Sequence, residues 1–167
     1  VSLMAAEKLL IISRSFSTIQ YSEISFKNDE TEARKMTAHY FKLTLLLTSG
    51  AIALVSIVPE AFFLAIIGEN YTGFKDHFLL ASPAMILLAL GNILYHYFSG
   101  LGEFIVYTKA SLVSMVITIL GGVILIQEFE IEGAIATLTM SYAVLFVYQY
   151  YFYKFNKRRI LKTESTQ

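Results

Sequence analysis

Four stretches of the chain contain no Asp, Glu, Lys or Arg: residues 43–59, 77–102, 110–127 and 133–153, of 17, 26, 18 and 21 residues. A helix rises about 1.5 Å per residue and the hydrocarbon core of a bilayer is about 30 Å thick, so roughly 17 to 25 apolar residues span it. The first tract reaches full length by continuing through Pro59 and Glu60 to Gly68, and the third by starting at Phe104. In lipid, backbone amides must bond within their own segment or around a closed barrel, and tracts this long are not the short strands of a barrel. The expectation is an all-α, polytopic transmembrane helix bundle with spans at about 43–68, 77–102, 104–127 and 133–153.

Composition points the same way. Of 167 residues, 56% are hydrophobic and 16% charged, against about 25% charged in a soluble domain, which leaves too few polar groups to cover a water-facing surface. Thirteen basic residues balance thirteen acidic ones, so no basic face is available to neutralise phosphates and a nucleic-acid partner is not expected. The absence of cysteine removes disulfides and thiolate chemistry.

Residues 1–24 are read as a fifth span, with a helix lying on the membrane surface as the alternative. The segment carries Glu7, Lys8, Arg14 and Glu23. Steps of seven put Glu7, Arg14 and Tyr21 close together on a helix, so one side would face water. Residues 25–42 form a cytoplasmic linker, expected to be a solvated helix with Glu30 and Arg34 at i, i+4 spacing. Residues 154–167 form a cytoplasmic tail. Orientation follows the positive-inside rule: Lys27, Arg34, Lys35 and Lys42 lie on one side with Lys154, Lys157, Arg158, Arg159 and Lys162, whereas the 128–132 loop (EFEIE) holds three glutamates and no lysine. Tyr95 to Phe98 and the run from Tyr148 to Tyr153 fit interfacial belts. The chain opens on Val1 and is read as the carboxy-terminal piece of something longer.

Small residues recur at every fourth position, Ala110, Ser114, Thr118 and Gly122 on one helix and Gly133, Thr137 and Ser141 on the next. Close approach of backbones and hydroxyl hydrogen bonds drive helix association in lipid, so these two helices should form a tight hairpin. Pro59 and Pro83 each remove a backbone donor, and kinks or breaks are expected there.

No catalytic, cofactor or metal constellation is apparent: His39, His77 and His96 lack metal-ligand spacing, and there is no nucleophile elbow or phosphate-binding loop. An enzyme is not expected. Charges at membrane depth are costly and usually line an aqueous path, which makes Arg14, Lys8, Glu7 and Glu60 the candidate substrate-pathway residues.

Three stretches carry a family resemblance. EAFFLAIIGENY at 60–71 holds an apolar run followed by Gly68 and Tyr71; SGLGEFIVYTKASLVSMVITILGGVILI at 99–126 is a short glycine-containing turn leading into a helix; IEGAIATLTMSY at 131–142 is a glycine-alanine entry into the next helix. In these the chain resembles the carboxy-terminal half of Wzx-type polysaccharide and O-antigen flippases, within the multidrug, oligosaccharidyl-lipid and polysaccharide exporter superfamily. Relatives often carry Gly-Lys in the cytoplasmic turn where this chain has Gly102 and Glu103. The resemblance implies about five spans of the second lobe of a two-bundle exporter fold in the cytoplasmic (inner) membrane. It also implies transfer of polyprenyl-pyrophosphate-linked oligosaccharide to the outer leaflet for surface polysaccharide biosynthesis. The implied partners are that lipid-linked oligosaccharide, membrane lipids, the amino-terminal lobe and glycan-synthesis enzymes. Two alternatives stand beside it: a cation or drug antiporter of the same superfamily, and a non-transporting scaffold of a glycan-synthesis complex.

Overall fold

The computed structural model describes residues 17–27, 29–67 and 73–155, and all regular structure among them is helical. The order is α1 (17–27), α2 (Glu30–Ile57), α3 (Glu60–Ile67), α4 (Phe74–Gly100) and α5 (Phe104–Phe155). Three of these, α2, α4 and α5, are long and apolar enough to cross a membrane.

Local chemistry sets the helix ends. Asp29 caps α2 by accepting from the Thr31 N–H at 2.7 Å and the Glu32 N–H at 3.4 Å, and Glu30 and Glu32 in the first turn suit the positive end of the helix dipole. At the far end Pro59 has no N–H and pushes Val58 into extended backbone (φ −67, ψ 130). What the sequence shows as one stretch, 43–68, is therefore two helices, α2 and α3, broken at Val58–Pro59. Pro83, by contrast, lies inside α4, which runs on through it; the loss is the bond to the Leu79 carbonyl. Helix α4 ends at Gly100, and the turn after it uses Gly102, whose φ of 76 is open to glycine without penalty, while the Glu103 N–H closes back on the Phe98 carbonyl at 2.8 Å.

The largest departure from expectation lies at 128–132. The three glutamates suggest a loop, yet the segment is helical on both sides of one non-helical residue, Glu130, at φ 47 and ψ −116. A single residue thus takes up the break between two arms, 104–129 and 131–155. An L side chain rarely adopts that backbone, at a cost of ~1–3 kcal/mol. Glu130→Gly should accordingly raise stability by about 1 kcal/mol, read as a higher unfolding midpoint in detergent or bicelles.

Helix α4 is the centre and packs against both α2 and α5. Of its most apolar window 44% is buried, against 6% for α2 and 11% for α5. The outward face of the first α5 arm is a continuous run of exposed apolar side chains, including Leu112, Val116, Leu120 and Ile124. Water would not tolerate such a face on a monomer, and hydrocarbon accommodates it. One buried cluster, Ile24, Ala33, Leu94, Tyr97, Phe98 and Val106, gathers α1, α2, the end of α4 and the start of α5; another, Phe74, Phe78 and Met85, lies at the start of α4 with Phe63 of α3.

The expected hairpin of small residues is present. Ser114 donates to the Ser141 carbonyl at 3.0 Å, Ser141 donates to the Ser114 carbonyl at 2.9 Å, and Thr118 bonds the Ser141 hydroxyl. Gly121 rather than Gly122 makes the close approach: a Cβ there would lie 2.9 Å from Thr137 Cγ2, while one on Gly122 meets only Ile126 at 3.9 Å. Strict fourth-position spacing drifts about 40° per step on a helix of 3.6 residues per turn, so after Thr118 the facing position becomes i+3.

Candidate functional site

Arg14, Lys8 and Glu7 lie outside the described residues. Glu60 opens α3, where its carboxylate accepts from the Gly73 N–H at 2.9 Å. Lys75 Nζ donates to the Val58 carbonyl at 3.0 Å, and His77 Nδ1 lies 2.6 Å from the Gly73 carbonyl. The Glu60 and Lys75 contacts tie the α2–α3 junction to the start of α4, and Lys75 supplies a partner to the Val58 carbonyl beside the Pro59 break. Helix α1 packs at the other end of α4, with the Tyr21 ring 6.1 Å from His96. From Gly73 to His96 along the helix that is a separation of roughly 35 Å. Glu60 is thus not brought together with the described part of the leading segment.

The most heavily connected polar group is elsewhere, at the Gly100 end of α4. Arg34 Nε donates to Glu30 Oε1 at 2.7 Å, one turn earlier on α2. Its NH1 donates to the Tyr153 carbonyl at 2.8 Å, and its guanidinium lies 5.2 Å from the Tyr153 ring and 5.9 Å from the Tyr97 ring. The two tyrosines meet edge to face at 5.0 Å. Tyr97 donates to Glu30 Oε1 and Tyr153 to the Arg34 carbonyl, each at 3.4 Å. One arginine therefore joins α2, α4 and α5. Its planar fork serves carboxylate and carbonyl at once while its faces meet the aromatic rings, a combination an ammonium cannot reproduce.

Sequence spacing shows the Glu30–Arg34 pair but places it on a solvated linker. In the structure the pair is only 18% and 20% exposed, and Ala33 and Thr37 beside it are buried. Helix α2 continues unbroken from Glu30 into the apolar tract, so its inward face stays inward. Tyr97, read as part of an interfacial belt, is 2% exposed, whereas Tyr151 of the second belt is 57% exposed and fits that role. By comparison, the Lys27–Glu32 bridge at 2.7 Å is half exposed on both sides. Glu32, by hydrogen bond and charge, holds the Lys27 ammonium above its ordinary range; exposed bridges of this kind contribute little to stability.

Next to the clasp, Gln20 Nε2 donates to Thr37 Oγ1 at 2.8 Å across the α1–α2 contact, and both residues are buried. Among the described residues no group of three or more His, Asp or Glu converges as metal ligands would. A groove of about 540 Å³ beside the hairpin apex is lined by Leu80, Pro83, Phe129 and Met140, with Glu132 as its charged residue. The arrangement as a whole is one for holding helices in register and presenting apolar faces. No protein-family model, curated protein or solved structure matches this chain.

Proposed function

We propose that this chain is part of a membrane transporter that flips polyprenyl-pyrophosphate-linked oligosaccharide across the cytoplasmic membrane for surface polysaccharide biosynthesis, with its carboxy terminus cytoplasmic. The observation that carries the reading is the set of long apolar helices around α4 taken with the three stretches, at 60–71, 99–126 and 131–142, that resemble Wzx-type flippases. Two glycines of those stretches have a physical reason in this chain. Gly102 takes the positive φ of the α4–α5 turn, and Gly133 sits where the two α5 arms touch. The chemistry of the task fits as well. Sugars and pyrophosphate cannot cross hydrocarbon unaided, and a helix bundle that carries a few cations inside can shelter them while the polyprenyl tail stays in lipid.

On this reading the exposed faces of α2 and of the first α5 arm meet lipid or the companion lobe, and Arg14, with Lys8, contacts pyrophosphate or an acidic sugar. Deleting the whole gene should abolish surface polysaccharide and leave its lipid-linked precursor on the cytoplasmic side. Arg14→Ala should lower export about tenfold at normal membrane abundance, as expected for loss of one charge-assisted hydrogen bond. Wild-type export from the Arg14→Ala protein would remove that site assignment. Normal export from the deletion strain would favour the antiporter or the scaffold.

A further inference from the structure

Polar side chains are satisfied unevenly along the bundle. In the middle of the hairpin Ser114, Thr118 and Ser141 each hold a hydrogen bond, and toward the Glu130 end so do Thr137, Thr139, Glu60, Lys75 and His77. At the Arg34 end, six buried side-chain atoms have no partner among the described residues: Gln20 Oε1, Thr44 Oγ1, His96 Nδ1, Ser99 Oγ and both amide atoms of Gln149. They lie at different depths and on different faces of α4: Gly91, which Gln149 meets, and Gly100, which Ile24 of α1 meets, are nine residues and so about half a turn apart around the helix. His96 and Ser99 lie level with the Arg34 clasp, and Gln20 with its partner Thr37 sits about one turn deeper. Gln149 lies four residues before Tyr153, ~6 Å further in, and Thr44 lies ten residues beyond Arg34, ~15 Å in.

Gln149 is the most telling of these. It is fully buried in the α4–α5 seam, facing Gly91, where a Cβ would stand 4.0 Å from its Nε2. An amide left without partners in an apolar medium is costly, and leucine would fill the same place without that cost. Its atoms are sealed from the outer surface, so neither a lipid headgroup nor another helix reaches them. The partner must be small, internal and able both to donate and to accept.

We propose that the α4–α5 seam holds a water-binding site at Gln149, entered from the Arg34 end. The inference rests on the membrane-immersed reading of the long helices. Water bound there satisfies both amide atoms of Gln149, whereas the hairpin hydroxyls deeper in the bundle bond one another and the backbone. Under the proposed orientation the hydrated end is the cytoplasmic one.

Radiolytic hydroxyl-radical footprinting of the full-length protein in lipid nanodiscs tests this, because radicals form where water is bound. Phe146, one helical turn before Gln149, should oxidise several-fold faster than Phe78, which is buried in the cluster at the other end. Gln149→Leu should bring Phe146 down to the Phe78 rate. Equal rates for Phe146 and Phe78 in the wild type, or no response of Phe146 to Gln149→Leu, would overturn the proposal. Met115 and Met140, exposed on the helix exteriors, separate the two levels of the argument. Protected methionines with an unlabelled Phe146 refute only the water site; methionines labelled as in free solution refute membrane immersion itself.

Discussion

Gly133→Ala should destabilise the protein by roughly 3 kcal/mol, the upper range for overpacking a filled contact. A Cβ at Gly133 would collide with the backbone carbonyl of Leu125 on the opposite arm, well inside any normal contact distance. Backbone cannot rotate away as a side chain can, so the two arms of α5 would have to separate near their apex. Separation there also strains the reciprocal Ser114–Ser141 bonds further along the seam. In lipid the close contact is itself the source of association, since hydrocarbon tails are as apolar as the helices. Gly122→Ala is the control: its Cβ would meet only Ile126 at 3.9 Å, and alanine gains up to about 1 kcal/mol over glycine within a helix. Unfolding midpoints of the two variants in bicelles should therefore move in opposite directions.

Arg34→Ala should cost about 3 kcal/mol. Removing one partner of a buried ion pair leaves the other charge uncompensated at ~3–5 kcal/mol, and the residual exposure of Glu30 places this case at the lower end. The variant also loses the bond to the Tyr153 carbonyl and both aromatic contacts. Arg34→Lys should recover less than half of that loss, because a single ammonium lacks the fork. Tyr153→Phe should cost under about 1 kcal/mol, because it removes only the long bond from its hydroxyl and keeps both the ring and the accepting carbonyl. A ranking in which Tyr153→Phe is the most damaging of the three would show that the hydroxyl, and not the guanidinium, organises the clasp.

These two sites differ in how far the sequence discloses them. The hairpin is legible because charge-free length and small-residue spacing are local properties, each carried by a few consecutive turns of helix. Its apex is not, because Glu128, Glu130 and Glu132 look like an aqueous loop whether or not the backbone around them stays helical. Only the backbone angles of Glu130 show that one residue is enough. The Arg34 clasp is half legible. An i, i+4 Glu30–Arg34 pair looks the same on a solvated linker as it does beneath two tyrosines, and the residue that completes it, Tyr153, is 119 positions away. The aromatic run at 148–153 mixes roles that composition cannot separate: Tyr151 faces outward, while Tyr153 turns in to meet Arg34. Glu60 stands out as a carboxylate at membrane depth, and its partner, the Gly73 N–H, becomes apparent only once the Pro59 break brings α3 back to α4.

Whether the exposed apolar face of α5 lies in hydrocarbon is tested most directly by spin labels along its first arm. The chain has no native cysteine, so each introduced one is a single label site. With the protein in lipid nanodiscs, labels at Val116, Leu120 and Val123 should collide freely with oxygen and scarcely with a water-soluble nickel chelate. Labels at Ala110 and Ser114, on the buried face, should be shielded from both. Strong nickel collisions at Val116, Leu120 and Val123 would mean that this face meets water, and the helices would then not be the membrane spans described above.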